Sequence, residues 1–188
     1  QSLKRQDGVQ FDMIGGSASF RTLIGQLDKV TKSNSRVMLS GPAGSGKEVA
    51  ARYIHANSNR ASAPFVTVNC AGVTPERMEE MLFGREGAER GVEPGLLEQA
   101  NGGVIYFDEV ADMPLGTQTK ILRVLVDQQF LRVGGSEKVR VDLRVISSTN
   151  RNLEVEIEAE RFRQELFHRL NVVPISVPSL EDRREDIP

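Results

Sequence analysis

The chain has 188 residues, 39% of them hydrophobic and 27% charged, with a formal net charge of -2. That length buries one substantial core, and the composition is an ordinary globular balance, which argues against a disordered chain and against two independent domains. A pI near 5.8 argues against a surface that neutralises many phosphates, and no apolar run reaches the roughly 18 residues of a membrane-spanning helix.

No charged-then-apolar segment resembles a secretory signal, so the protein is expected in the cytoplasm, with no membrane partner. The single cysteine, Cys70, excludes an internal disulfide framework and a cysteine metal cluster, and it reads as a small buried apolar residue. Two histidines far apart in sequence give no metal-ligand spacing. If a parent protein touches DNA, another segment does it. The chain opens with Gln1 and stops at Glu185-Asp186-Ile187-Pro188, which reads as a piece cut from something longer.

In chain order, residues 1–13 read as a linker remnant. Phe20, Leu23, Ile24, Leu27 and Val30 then recur at helical spacing behind Ser17 or Ser19 as candidate caps. Val37-Met38-Leu39 is a short apolar strand, Gly41 to Lys47 a glycine loop, and Glu48 to about Ala56 a helix. Phe65 to Val68 and Val104 to Phe107 are apolar without alternation, as strands buried on both faces of a parallel sheet are. Leu115 to Asp127 reads as a helix with Ile121, Leu122 and Leu125 on its inner side. A hairpin follows, with Phe130 to Val133 and Val139 to Val141 flanking a Gly-Gly turn. Arg144 to Thr149 and Val172 to Val177 are the last strands. The alternation predicts an α/β fold, a parallel sheet sandwiched by helices.

Gly41-Pro42-Ala43-Gly44-Ser45-Gly46-Lys47 fits GxxxxGK between a strand and a helix, the context that makes a P-loop credible. Glycines let successive backbone N–H groups wrap a phosphate chain, the helix N-terminus adds favourable potential, and Lys47 supplies charge at the terminal phosphates. Glu48 and Val49 complete the ATP-binding set. Glu48 stands where most P-loops place a hydroxyl for Mg²⁺, so either the metal is held largely by the phosphates, waters and a distant carboxylate, or the chain belongs to a branch in which this substitution is the rule. Asp108 ends the apolar strand Val104–Phe107 and is followed by Glu109, a Walker B pattern. Asp108 is expected near Mg²⁺, through water, and Glu109 beside the attacking water. Asn69 and Asn150 end two other strands; each either contacts water or the γ-phosphate, or simply forms a turn.

With Glu48 after Lys47, Val-Asn-Cys-Ala at 68–71, Leu-Phe-Gly at 82–84 and Phe-Arg-Gln-Glu-Leu-Phe-His-Arg-Leu-Asn-Val-Val at 162–173, the chain resembles the central AAA+ ATPase domain of sigma-54-dependent, NtrC-like response regulators. The resemblance runs from about Ile14 to Pro188 and is nearest the NtrX branch. It implies an AAA+ P-loop ATPase core over residues 14–188, without the C-terminal helical lid, which Glu181 to Asp186 would enter. It implies ATP and Mg²⁺ as cofactors, Ile14-Gly15 near the adenine, Asn69 as the switch that restrains Glu109, and Asn150 as a sensor. Arg163 and Arg169 become fingers reaching a neighbouring subunit in a hexamer-like ring. On one continuous helix they would lie about 120° apart, which gives them different jobs; otherwise they are surface arginines paired with Glu165 or Glu160. The further partners implied are DNA and a sensor kinase, through separate domains, and RNA polymerase. The family's sigma-contact loop, Gly-Ala-Phe-Thr-Gly-Ala, should follow Gly84. Here Arg85 to Gly95 carries no aromatic and is shorter, a composition suited to a solvated loop, so loss of sigma-54 remodelling is expected.

Overall fold

The computed structural model describes residues 18–89 and 91–179. The readings at residues 1–13, Ile14, Gly15, Ser17 and 181–186 therefore lie outside the described residues. Helix α1 (Ala18–Thr31) buries Phe20, Leu23, Leu27 and Val30, the stripe its periodicity predicts. Ser19 is a residue of this helix and not its cap.

Five strands form one sheet: β1 (Val37–Ser40), β2 (Phe65–Asn69), β5 (Val104–Asp108), β8 (Arg144–Thr149) and β9 (Val173–Ser176). Their order is β2-β5-β8-β1-β9, and every pairing is parallel. Side chains alternate between the two faces. Val104, Tyr106, Val37, Leu39, Ile146 and Ile175 pack with α1 and α2 (Lys47–Ala56). Ile105, Phe107, Met38, Val68 and Val145 pack on the other side. There they meet α3 (Pro75–Phe83), α5 (Leu115–Asp127) and α7 (Gln164–Leu170). This is the α/β sandwich predicted from the alternation.

Two expectations change. Phe65 to Thr67 are only half-buried, because β2 lies at the edge of the sheet and not inside it. The segment after Gly84 is not merely a loop: Arg85–Gly87 (β3) pairs antiparallel with Gly91–Glu93 (β4). Helix α4 (Leu96–Gln99) follows. The β3–β4 hairpin is fastened to a second one, β6 (Gln129–Leu131) with β7 (Lys138–Arg140). Glu86 N–H donates to Val133 O at 3.0 Å and Val133 N–H to Gly84 O at 2.9 Å. Arg132 reaches Glu86 at 2.7 Å and both oxygens of Glu98 at 2.8 Å. Such charge-assisted forks fix geometry, and they hold the Arg132 guanidinium above its ordinary pKa.

Beyond β8, α6 (Leu153–Glu158) is capped by Asn152, whose side chain accepts from the N–H groups of Glu154 and Val155. The chain then breaks helix before α7. Arg161 and Phe162 both donate their N–H groups to Glu156 O. The buried Glu156 carboxylate takes Arg161 at 2.6 Å and Arg151 at 3.3 Å, which pulls its pKa down.

Candidate active site

In a parallel sheet all strands end on one side, and this one lines its chemistry along that edge. Ser40, the last residue before the glycine loop, lies in register with Thr149 and Ser176, and Asn69 with Asp108. Because Phe107 pairs with Ser147, the next residues, Asp108 and Ser148, are also neighbours.

The glycine loop needs its glycines. A Cβ on Gly41 would stand 2.4 Å from Val177 O, so the loop packs backbone to backbone against the end of β9. Gly46, at φ 94°, turns the chain into the first residue of α2, a conformation L side chains resist. Gly41 N–H donates to Thr149 O at 3.3 Å, tying the loop to β8. Lys47 Nζ donates to Gly41 O at 2.7 Å and Pro42 O at 2.8 Å. Burial lowers the ammonium's pKa, while Glu109 and Asp108 pull it upward. Pro42, Ala43 and Gly44 are exposed, Ser45 is buried and Val49 half-buried. Glu48 faces solvent and accepts from Arg52 Nε one helical turn on, at 3.2 Å.

Asp108 and Glu109 sit across from the loop. Glu109 adopts a left-handed backbone, φ 53°, an uncommon conformation that recurs where function over-determines the backbone. The turn brings its carboxylate onto the end of β8. Oε1 accepts from Thr149 Oγ1 at 2.8 Å, and Oε2 from Asn150 N–H at 2.9 Å. Asp108 Oδ1 accepts from Ser148 Oγ at 3.2 Å. Among the described residues Asp108 Oδ2 has no hydrogen bond, whereas both oxygens of Glu109 are engaged. A carboxylate with one oxygen anchored and one open fits a hard cation better than one fully satisfied.

The asparagines divide differently from the reading by analogy. Asn69 Oδ1 accepts from Ala71 N–H at 3.0 Å, a turn of its own making. In this structure Thr149 and the Asn150 backbone restrain Glu109, and Asn69 does not. Asn150 thus stands at the site through its main chain. Thr149, Ser148 and Arg151, which bonds Asp112 at 2.7 Å, are framework residues that pattern reading missed. The sign of Ser148 and Thr149 in the sequence is the run of hydroxyls, Ser147 to Thr149, that ends the strand.

Arg163 and Arg169 do not share one helix. Arg163 is the extended residue before α7 and Arg169 lies in its last turn, so the 120° argument does not apply. Both are exposed, and among the described residues neither forms an ion pair with Glu160 or Glu165. The buried Gln118 holds the first of them: its Oε1 accepts from Arg163 N–H at 2.8 Å, while its amide donates to Met113 O and Arg161 O. Arg36 bonds Arg169 O and Leu125 O. Burial lowers the pKa of Arg36, and the nearby Arg169 charge lowers it further. A separate groove of about 580 Å³ between α5 and β6–β7, bordered by Arg123, Arg132 and Lys138, contains none of these residues.

The geometry of a P-loop facing an acid pair agrees with comparison to known proteins. The chain is 57% identical over 177 residues to the nitrogen assimilation regulatory protein NtrX of Azorhizobium caulinodans, covering 94% of this chain and 39% of that protein. It is 44% identical over 186 residues to the DNA-binding transcriptional regulator NtrC of Salmonella typhimurium, covering 97% and 40%. The solved structure of Brucella abortus NtrX in complex with ATP superposes with a TM-score of 0.87 at 58% identity, over 93% of this chain and 40% of that one. The chain thus spans about two-fifths of the length of these relatives. Residues 13–176 match the model of the Sigma-54 interaction domain, and the chain belongs to that family of AAA+ P-loop domains, on its NtrX branch.

Proposed function

We propose that this chain is the Mg²⁺-dependent ATP-binding and ATP-hydrolysing domain of a DNA-binding two-component transcriptional regulator. The observation that carries the reading is the convergence of Lys47, Asp108 and Glu109 on one sheet edge, with Glu109 held by Thr149 and Asn150. The ATP complex of the Brucella relative supports it. Lys47 Nζ exchanges Gly41 O and Pro42 O for phosphate oxygens, and the N–H groups at the start of the ten-residue helix α2 face the same anion. Asp108, through its open Oδ2, would hold Mg²⁺ by way of water. The metal, when bound, offsets charge on the terminal phosphates. Glu109 takes a proton from the water that attacks the γ-phosphate once one oxygen leaves Thr149 or Asn150, and Asn69 and Asn150 contact water or γ-phosphate. Arg163 and Arg169 act on the site of a neighbouring copy in a ring. DNA and a sensor kinase engage separate domains of the parent protein, and RNA polymerase is the downstream partner.

Steady-state phosphate release against protein concentration, in full-length protein with ATP and Mg²⁺, tests this reading. Specific activity should rise with concentration as rings form. Flat specific activity contradicts completion between copies, and no release contradicts the enzyme.

A second reading, a nucleotide-set assembly switch without turnover, is favoured by one observation. Among its described residues the β3–β4 hairpin offers charged side chains, Ala88 and Val92, and it is clamped by Arg132. It lacks an apolar aromatic anchor for a partner. The parent protein is accordingly expected to fail in ATP-driven remodelling of sigma-54 holoenzyme. Open-complex formation on a sigma-54 promoter, with ATP and with a non-hydrolysable analogue, decides this; robust hydrolysis-dependent activation contradicts it.

A further inference from the structure

Tyr106 lies in the middle of β5 with 1% of its surface exposed, yet it carries a hydroxyl into a layer of Val104, Leu39 and Ile146. Burying a hydroxyl without a partner is costly, and its partner is informative. Tyr106 OH donates to Ser148 Oγ at 2.8 Å. Ser148 is itself fully buried, and its Oγ has two further contacts: it donates to Asp108 Oδ1 at 3.2 Å and accepts from Glu109 N–H at 3.3 Å.

A serine hydroxyl has one proton to give and two lone pairs to offer. An ionised carboxylate only accepts and a backbone N–H only donates, so the single Ser148 proton goes to Asp108. Tyr106 must then be the donor, and every bonding position of Ser148 is filled. Nothing about a serine in this strand requires the arrangement. Ser147, equally buried, has a hydroxyl with no partner among the described residues.

Resting on the ATPase reading above, we propose that Ser148, oriented by Tyr106, is a positioning residue of the active site. It anchors one oxygen of Asp108 so that the other faces the metal, and it fixes the left-handed turn that presents Glu109. Tyr106, two residues before Asp108, acts only through Ser148. Neither touches nucleotide.

The test compares full-length protein with Ser148→Ala, Tyr106→Phe and the double variant. It reads the affinity of a fluorescent ATP analogue as a function of Mg²⁺, the affinity without metal, and phosphate release. Ser148→Ala should raise the half-saturating Mg²⁺ concentration about tenfold, the size of a lost hydrogen bond to a charge, with metal-free affinity within about twofold. Tyr106→Phe should raise it about two- to threefold, because the serine keeps its proton for Asp108 but loses its orientation. The double variant should match Ser148→Ala alone, since Tyr106 has no route past the serine. If Ser148→Ala fails to fold because it orphans the Tyr106 hydroxyl, the double variant removes both groups and carries the test. An unchanged Mg²⁺ requirement in Ser148→Ala or the double variant overturns the proposal, as does additivity of the two substitutions. A wild-type nucleotide affinity indifferent to Mg²⁺ overturns it as well. Wild-type protein that responds to Mg²⁺ without releasing phosphate refutes the ATPase reading while leaving the Mg²⁺ shift to decide this one.

Discussion

Glu109→Gln separates binding from chemistry at the acid pair. Its carboxylate accepts two hydrogen bonds, from Thr149 Oγ1 at 2.8 Å and from Asn150 N–H at 2.9 Å. Glutamine keeps the second with its carbonyl oxygen. Its NH₂ then faces Thr149 Oγ1, which already accepts from Arg151 N–H at 3.0 Å. A hydroxyl has a second lone pair and a proton free to rotate, so Thr149 turns from donor to acceptor and the frame survives. The left-handed backbone at Glu109 is unaffected, as no Cβ branching is introduced. What disappears is the ability to take a proton from water, a contribution of about 10²- to 10⁴-fold in general-base catalysis. Expected, then, are ATP affinity within about threefold of wild type and a fall in kcat of at least about 100-fold. Calorimetry and a coupled phosphate assay on full-length protein measure both. Turnover within a few-fold of wild type would remove Glu109 from the reaction. A parallel collapse of binding would mean that its negative charge, and not its basicity, is what the site needs.

Lys47→Ala should weaken ATP by about 100-fold or more, because it deletes the charge-assisted donor at the loop; unchanged affinity by calorimetry contradicts the P-loop assignment. Arg132→Ala should free the β3–β4 hairpin from β6–β7 and speed hydrogen exchange at the Glu86 amide, which bonds Val133 O; unaltered exchange would show that the backbone contacts suffice. Cys70 is buried, and burial together with Asp108, Asp112 and Glu109 pushes its thiol up to about 12. Its thiolate is thus scarce at pH 8, and maleimide should label the folded chain far more slowly than the urea-unfolded one; equal rates would contradict this burial.

Local patterns carried much of the fold. Helix α5 runs from Leu115 to Asp127 and strand β8 from Arg144 to Thr149, as their apolar spacing predicts. The P-loop and the Asp108-Glu109 pair are contiguous motifs and were legible for that reason. Pairing across the chain was not. Thr149 meets Glu109 and Tyr106 meets Ser148 over about forty residues, and no periodicity announces such contacts. The edge position of β2 depends on strand order, which an apolar run does not encode. The break between α6 and α7, which separates Arg163 from Arg169, is made by Arg161 and Phe162 sharing the Glu156 carbonyl. A charged sequence there reads equally well as continuous helix. Likewise β3 lacks alternating apolar residues, and its strand character comes from pairing with β4 and from backbone bonds to Val133.

The central claim is that hydrolysis is completed between copies of this chain, and mixing two inactive variants tests it most directly. Arg169→Ala retains Lys47, Asp108 and Glu109 but lacks the exposed arginine in the last turn of α7; Lys47→Ala retains Arg169 but not the nucleotide contact. In full-length protein each alone should release phosphate at no more than about one hundredth of the wild-type rate, the lower end of what an arginine finger contributes being larger still. Mixed at equal concentration, with mixed assemblies verified by mass, they should recover a measurable fraction of activity, because some interfaces then pair an intact loop with an intact arginine. Verified mixed assemblies that remain as inactive as either parent would contradict the account and return Arg169 to its own subunit.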